Sequence, residues 1–325
     1  MTKKQIFGLV LSLFTLLSCL SIVFAYSKLG IPDFIHLLLG NANRTTQLTF
    51  LNIRLPRLIV SIMAGGSLAL SAHLFQTLTR NPMADSGILG VNAGAGFLLT
   101  LATTWNINSL VFQPFLAMTG GALATAIVFF LAIKPRQTLQ AHRLILTGVG
   151  LSSLLMSSTI HLMMQFDPYK LDNLIGWLSG RYVGDNWQLI TLTSPLLILF
   201  WFVTIIRYQP LNIFQLDNQV AIGLGLKMKQ ERLFILILAT SLASLSSILV
   251  GNTAFVGLVA SHLAQKLIGK QHQYSLPLSM LLGAILMLLA DMIARSILVG
   301  TGIPTGLVVT AIGSPYFLFL MTRQA

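Results

Sequence analysis

The chain has 325 residues, of which 55% are hydrophobic and only 9% are charged, and its formal net charge is +12. Soluble domains carry about 25% charged residues, so this composition excludes a soluble fold and indicates a lipid bilayer as the solvent. The basic residues stand singly between apolar runs and form no continuous basic face, which excludes nucleic acid as a partner.

Apolar runs of the length that crosses a bilayer, about 20 residues, predict an all-α polytopic membrane protein with about ten transmembrane helices. In chain order the predicted spans are 6–26, 56–79, 87–104, 111–133, 143–165, 188–206, 232–250, 255–268, 276–299 and 306–322. The third and eighth runs are the weakest, because they are short or rich in Gly, Ser and Asn. The first run is longer than the core of a signal peptide, about 7–15 residues, so a membrane helix is favoured over a lipoprotein signal ending at Cys19.

The distribution of Lys and Arg predicts the orientation. With ten spans and a cytoplasmic N-terminus, 13 of the 20 basic residues fall on the inner side and 7 on the outer side. Basic residues are enriched in cytoplasmic loops, so both termini are predicted to be cytoplasmic.

A polar break, LTRNPMADSGILGVNAGAG, occupies residues 78–96. Asn81-Pro82 is predicted to end the second helix, because the residue before a proline avoids the α conformation. The phosphate-binding pattern G-x-x-x-x-G-K-[ST] is missing from the sequence. The spacing of Gly90 and Gly94 is typical of close helix packing, which we favour over a ligand contact.

Two connections are longer than a simple turn needs. Residues 166–187 combine aromatic residues with glycine and aspartate, and they predict an extracytoplasmic loop with a short interfacial helix. Residues 207–231 have apolar residues at helical spacing, and Asp217 or Asn218 could cap a helix there. This second segment is predicted to be a pair of cytoplasmic helices. From periodicity alone, a docking surface and a solvated loop on the membrane are equally compatible with it.

The sequence predicts no catalytic group, metal site or cofactor site. The six histidines form no ligand pattern, and no nucleophile–base motif is present. Asp291 is the one acidic residue deep in a predicted span, which makes it a functional candidate. Arg295 follows four residues later on the same helix face, so we favour an ion pair. A proton-coupled secondary carrier that uses Asp291 remains the alternative of another class.

Several stretches resemble one known family, the FecCD-like permeases of iron–siderophore and cobalamin ABC importers. The signature R-x-P-R and then Q-x-x-x-R-N-P is found within residues 54–96. Further stretches resemble the family in the same order: LILTGVGLSSL at 144–154, WLSGRY at 177–182, LNIFQLDNQVAIGLGL at 211–226, and the three runs at 255–269, 276–295 and 303–321. Ser86 replaces a usual proline, and Asp217-Asn218 replaces a common Gly-Glu.

The resemblance implies the permease subunit of a binding-protein-dependent ABC importer, with residues 1–325 forming one transmembrane domain. Ferric siderophores are the expected substrates, and haem or cobalamin the alternatives. The implied partners are a second permease subunit in a homodimer or heterodimer, two separate ATPase subunits that hydrolyse ATP, an extracytoplasmic substrate-binding protein, and membrane lipids. The implied location is the bacterial cytoplasmic (inner) membrane.

The resemblance also implies site residues. Docking of the binding protein is expected at Arg54, Arg57 and Arg295. Coupling to the ATPase is expected at Leu211, Asn212, Leu216, Asp217, Ala221, Gly223, Leu224 and Gly225. The cytoplasmic gate is expected at Asn81, Met83, Ala141 and His142.

Overall fold

The structure is a computed structural model that describes residues 2–23, 31–107, 109–132, 141–182, 186–297 and 303–324. Every regular element in this part of the chain is a helix. The longer helices are α1 (Lys3–Val23), α4 (Leu55–Thr79), α5 (Val91–Thr104), α6 (Gln113–Ala132), α7 (Ala141–Met163), α9 (Trp187–Ile206), α12 (Met228–Val250), α13 (Val256–Ile268), α14 (His272–Ile297) and α15 (Thr305–Gln324). The shorter helices are α2 (Ile31–Leu38), α3 (Arg44–Thr49), α8 (Pro168–Leu178), α10 (Tyr208–Phe214) and α11 (Asn218–Gly223).

Each predicted span coincides with one of the longer helices. Seven helices in the described ranges are long and apolar enough to cross a membrane, and α5, α13 and α15 are shorter apolar helices. The two weakest predicted runs, 87–104 and 255–268, correspond to α5 and α13, which are shorter than the seven. The continuous helical span that contains α4 begins at Arg44, earlier than the sequence predicts, because α3 and a π-helical turn at Phe50–Arg54 lead into α4 without a break.

Helix α4 is the centre of the fold and packs against α9, α12, α13 and α14. Small residues on this helix allow the close approach, since helices in a bilayer associate by packing and hydrogen bonding, without the hydrophobic effect. At the crossing with α14, a Cβ atom on Gly65 or Gly283 would collide with the backbone carbonyl of the other. Large side chains further along α4, such as Leu70 and Phe75, are fully buried in the core.

The outer faces of the bundle are apolar. Phe130 on α6, Leu146 on α7 and Phe202 on α9 are 82%, 71% and 63% exposed, respectively. An apolar surface of this extent would promote aggregation in water, and it is the surface that a bilayer covers.

The two long connections fold at the two ends of α4. In the 166–187 segment the predicted short helix is present as α8, and Asp167 caps it by accepting a hydrogen bond from the Lys170 amide. Trp177 of α8 donates to the Ser247 carbonyl of α12 at 2.8 Å, which fastens this segment onto the bundle. In the 207–231 segment the predicted helix pair is present as α10 and α11.

Candidate functional site

The polar turn between α4 and α5 covers residues 80–90. Helix α4 ends at Thr79, and Arg80 takes the left-handed conformation with φ 51°. Asn81 then folds the turn, because its side-chain oxygen accepts a hydrogen bond from the Met83 amide at 3.0 Å. The sequence correctly predicted the end of the helix here.

The turn packs tightly against the start of α7. A Cβ atom on Gly148 would collide with the backbone at Ile88, and Leu144 is buried beside the same turn. The predicted gate residues Asn81 and Met83 are half-buried in this turn. Ala141 and His142 are the first residues of α7, and their side chains lie outside the part of the chain that the structure describes.

Asp85 is the buried acidic residue of the turn. Burial raises the pKa of its carboxyl group to about 6, although backbone N–H groups of Ser86, Gly87 and Phe255 oppose that shift. The carboxylate therefore joins the turn to the start of α13. The glycines that follow serve packing, as the spacing predicts: Gly94 lies directly against Gly120 of α6.

Asp217 is the capping residue of α11, and its carboxylate accepts a hydrogen bond from the Gln219 amide at 2.9 Å. The base of the 207–231 segment is closed by an ion pair between Arg207 and Glu231. Leu211 and Ala221 face the bundle and are buried. The segment is thus a folded platform of two helices.

The far side of α11 is an exposed apolar patch. Four side chains form it: Leu216, Val220, Ile222 and Leu224 are 43%, 52%, 60% and 59% exposed, respectively. Gly223 and Gly225 are exposed beside them. Val220 and Ile222 were not among the predicted coupling residues, and only their exposure in the structure brings them into this patch. A patch of this kind is typical of a protein–protein contact.

The three predicted docking arginines cluster at the other end of α4. Arg57 donates to one oxygen of Asp291 at 2.8 Å, and Arg295 lies 2.7 Å from the other oxygen. The predicted ion pair between Asp291 and Arg295 is therefore present, and it is shared with α4. Asp291 is fully buried, while the side chains of Arg57 and Arg295 are 24% and 12% exposed.

The arginine cluster also holds the end of α1. Arg54 is buried and donates to the carbonyls of Ile22 and Val23 at 2.8 and 3.0 Å. These two carbonyls lie at the end of the described part of α1. Arg295 donates to the hydroxyl of Ser21 at 2.9 Å. Sequence reasoning placed the arginines together but did not predict this role.

A third contact reaches the cluster from the segment after α8. The guanidinium of Arg57 lies 5.0 Å from the ring centre of Tyr182, a cation–π distance, and the Tyr182 hydroxyl lies 2.9 Å from the Ser61 hydroxyl. Two arginines, Arg57 and Arg295, share the single carboxylate of Asp291, so this group of three side chains carries an excess of positive charge.

These features define a polytopic helical membrane protein: a bundle with exposed apolar walls, a folded turn that packs against α7, and a folded α10–α11 platform at the same end.

Comparison with known proteins gives the family. The FecCD transport family matches residues 13–323, and the chain belongs to it. It is 33% identical over 292 residues to the iron(3+)-hydroxamate import system permease protein FhuG of Bacillus subtilis (strain 168), covering 87% of this chain and 86% of that protein. It is 33% identical over 290 residues to the Fe(3+) dicitrate transport system permease protein FecC of Escherichia coli (strain K12), covering 89% and 87%.

A solved structure agrees with the sequence relatives. An inward-facing structure assigned to the metal-chelate type of ABC transporter has a TM-score of 0.82 and 28% identity, and the match covers 99% of this chain and 100% of that one. The chain is therefore a multi-pass membrane permease of the ABC importer class. Permeases of this class work with ATPase subunits and a substrate-binding protein.

Proposed function

We propose that this permease imports a ferric siderophore across the bacterial cytoplasmic membrane. The proposal is supported by the relatives, which are permeases for iron(3+)-hydroxamate and Fe(3+) dicitrate. Haem and cobalamin are the alternative substrates implied by the wider family resemblance.

The single observation that carries the mechanism is the exposed apolar patch on α11. Ile222 and Leu224 are more than half exposed at a bundle end that carries Lys227 and Lys229. A lysine-rich end of the bundle lies in water and not in hydrocarbon. An apolar patch that lipid does not cover is typical of a protein–protein contact, and the partner that we propose for it is the ATPase. If the platform is inside, the even number of predicted spans would put both termini in the cytoplasm.

The opposite end then faces outward, with α8 as part of the extracytoplasmic loop. The excess of positive charge around Asp291 suits a binding protein with acidic residues on its docking face. Arg57 and Arg295 retain partial exposure, and incoming carboxylates would compete with Asp291 for them. Charge pairing of this kind fixes the orientation of docking and speeds the encounter more than it adds affinity.

A second permease subunit completes the path. The exposed face of α7 carries the hydroxyl groups of Ser153, Ser157 and Ser158 between apolar residues. Small hydroxyl side chains suit contact between helices or a polar path better than contact with lipid alone. The turn 80–90 packs against the start of this same helix, which is the arrangement required of an inner gate.

Uptake by cells tests the substrate. A strain that lacks this gene is complemented with the wild-type gene, and uptake of radioactive iron is measured with a ferric hydroxamate, ferric citrate and haem. Cobalamin uptake is measured separately with labelled cobalamin. The proposal predicts restored uptake of at least one ferric siderophore and no change for haem or cobalamin. Restoration of haem or cobalamin uptake alone would overturn the proposed substrate class.

A further inference from the structure

Two chains of hydrogen bonds connect the α10–α11 platform to the last turn of α4. The first begins at Arg80, the residue that follows α4. Its Nη2 atom lies 3.2 Å from the Phe214 carbonyl, 2.5 Å from the Leu216 carbonyl and 2.9 Å from the Asn218 side-chain oxygen. These three acceptors form the corner where α10 ends and α11 begins, so the guanidinium is held by both helices.

The second chain passes through His272, the first residue of α14. The side-chain oxygen of Asn212 in α10 accepts a hydrogen bond from the His272 amide at 2.9 Å, and the same oxygen lies 2.9 Å from Nδ1 of the ring. On the other side of the ring, Nε2 lies 2.8 Å from the hydroxyl of Thr77 in α4. His272 and Thr77 are buried.

The atoms fix the direction of this chain. The Asn212 oxygen can only accept, so the ring proton sits on Nδ1 and donates to it. Nε2 is then the acceptor atom of the ring, and the Thr77 hydroxyl shares its single proton between Nε2 at 2.8 Å and the His73 carbonyl at 2.9 Å. A displacement of Asn212 therefore breaks its hydrogen bonds to His272 unless the start of α14 follows, and a displacement of His272 in turn breaks its contact with Thr77 unless α4 follows.

Both chains end beside the turn 80–90. Thr77 lies in the last turn of α4, and Arg80 directly precedes Asn81-Pro82. Arg80 also has a left-handed backbone conformation. In a residue other than glycine this conformation costs roughly 1–3 kcal/mol, and it persists only where contacts with surrounding residues stabilise it. The three oxygens around its guanidinium provide those contacts, so the conformation of the turn depends on the position of the platform.

We propose that Arg80 and His272 are positioning residues that transmit movement of the α10–α11 platform to the turn 80–90. The inference rests on the proposed function of the platform as the ATPase docking surface. It adds the route by which a change at that surface reaches the gate: one link through the corner of α10 and α11, and one through the start of α14.

The test uses the complete transporter, with ATPase and binding protein, reconstituted in proteoliposomes. Thr77→Val removes the hydroxyl at nearly constant volume, and Thr77→Ser retains it. Arg80→Ala removes the other link, and Lys270→Ala is the matched control because it removes an exposed positive charge at the same end of the bundle. We expect Thr77→Val and Arg80→Ala each to lower import about tenfold at unchanged ATP hydrolysis, while the other two variants resemble wild type.

If Arg80 and Thr77 only stabilised the fold, their substitution would lower import and ATP hydrolysis together. Spin labels give a second readout. Cys19 is the only cysteine, so labels are placed in a Cys19→Ser background at Val220 on α11 and at Met83 in the turn. In wild type both labels respond to ATP trapping. In Arg80→Ala and Thr77→Val the α11 label still responds, and the turn label does not.

The outcomes separate the two proposals. If both labels still respond in the variants, or if import and hydrolysis fall in parallel, the links do not transmit movement and the inference is overturned. If the α11 label fails to respond to the ATPase in wild type, the docking assignment itself is wrong, and the inference fails with it.

Discussion

Asp291→Asn removes the negative charge that Arg57 and Arg295 share, while keeping the size of the side chain. Asp291 is fully buried between Arg57 and Arg295, at 2.8 and 2.7 Å. Removal of one partner from a buried ion pair costs about 3–5 kcal/mol, because it leaves a charge buried without compensation. Here two guanidinium groups lose their partner and also repel each other, so we expect the upper part of that range.

The matched control is Asp172→Asn. Asp172 pairs with Arg181 at 3.3 Å, but the two side chains are 70% and 42% exposed. An exposed pair contributes only about 0–1 kcal/mol. Thermal unfolding of the purified permease in detergent should therefore show a large loss of stability for Asp291→Asn and almost none for Asp172→Asn.

A double variant tests the reason for the loss. Asp291→Asn combined with Arg295→Gln removes one of the uncompensated charges, so it should be more stable than the sum of the two single variants predicts. Residues in one ion-pair network couple by about 0.5–3 kcal/mol. Equal stability of Asp291→Asn and Asp172→Asn, or simple additivity in the double variant, would refute a stabilising cluster.

Three further predictions concern packing, docking and pH. Gly65→Leu places a side chain against the backbone of α14 and should destabilise the permease by at least about 1–3 kcal/mol in the same unfolding assay, whereas Gly8→Leu, at an open position of α1, should not; equal effects would contradict the close crossing. Ile222→Asp should abolish copurification of the ATPase with an unchanged unfolding temperature, and retention of the ATPase would place docking elsewhere. Because the pKa of Asp85 is raised to about 6 by burial, the wild type is favoured while this carboxyl is protonated, and it should lose up to about 3 kcal/mol relative to Asp85→Asn as the pH rises from about 4 to 6. A stability difference that does not change with pH would show that Asp85 stays ionised throughout.

Local signals in the sequence predicted most of the helices and several of their ends. Asn81-Pro82 stops α4 through the geometry of its own backbone, and Asp217 caps α11 two residues away. The short helix α8 was also expected. Each of these features depends on residues within a few positions of one another, so a local pattern in the sequence is enough to predict it.

The contacts that build the two ends of α4 could not be predicted in this way. Arg54 resembles a docking residue by position, yet it is buried against the last carbonyls of α1, 31 and 32 residues earlier in the chain. Arg80 reaches acceptors between 134 and 138 residues away. Such contacts depend on how the helices pack against one another, and no local pattern of residues encodes that packing.

The most direct test of the account is energy coupling in proteoliposomes that contain this permease, its ATPase and its binding protein. Import of a labelled ferric siderophore is measured with internal or external ATP, and with a proton gradient in its place. The account predicts import with ATP on the platform side alone, and loss of import when the ATPase is inactivated. Import driven by the proton gradient without ATP, and abolished by Asp291→Asn, would contradict it and support a secondary carrier.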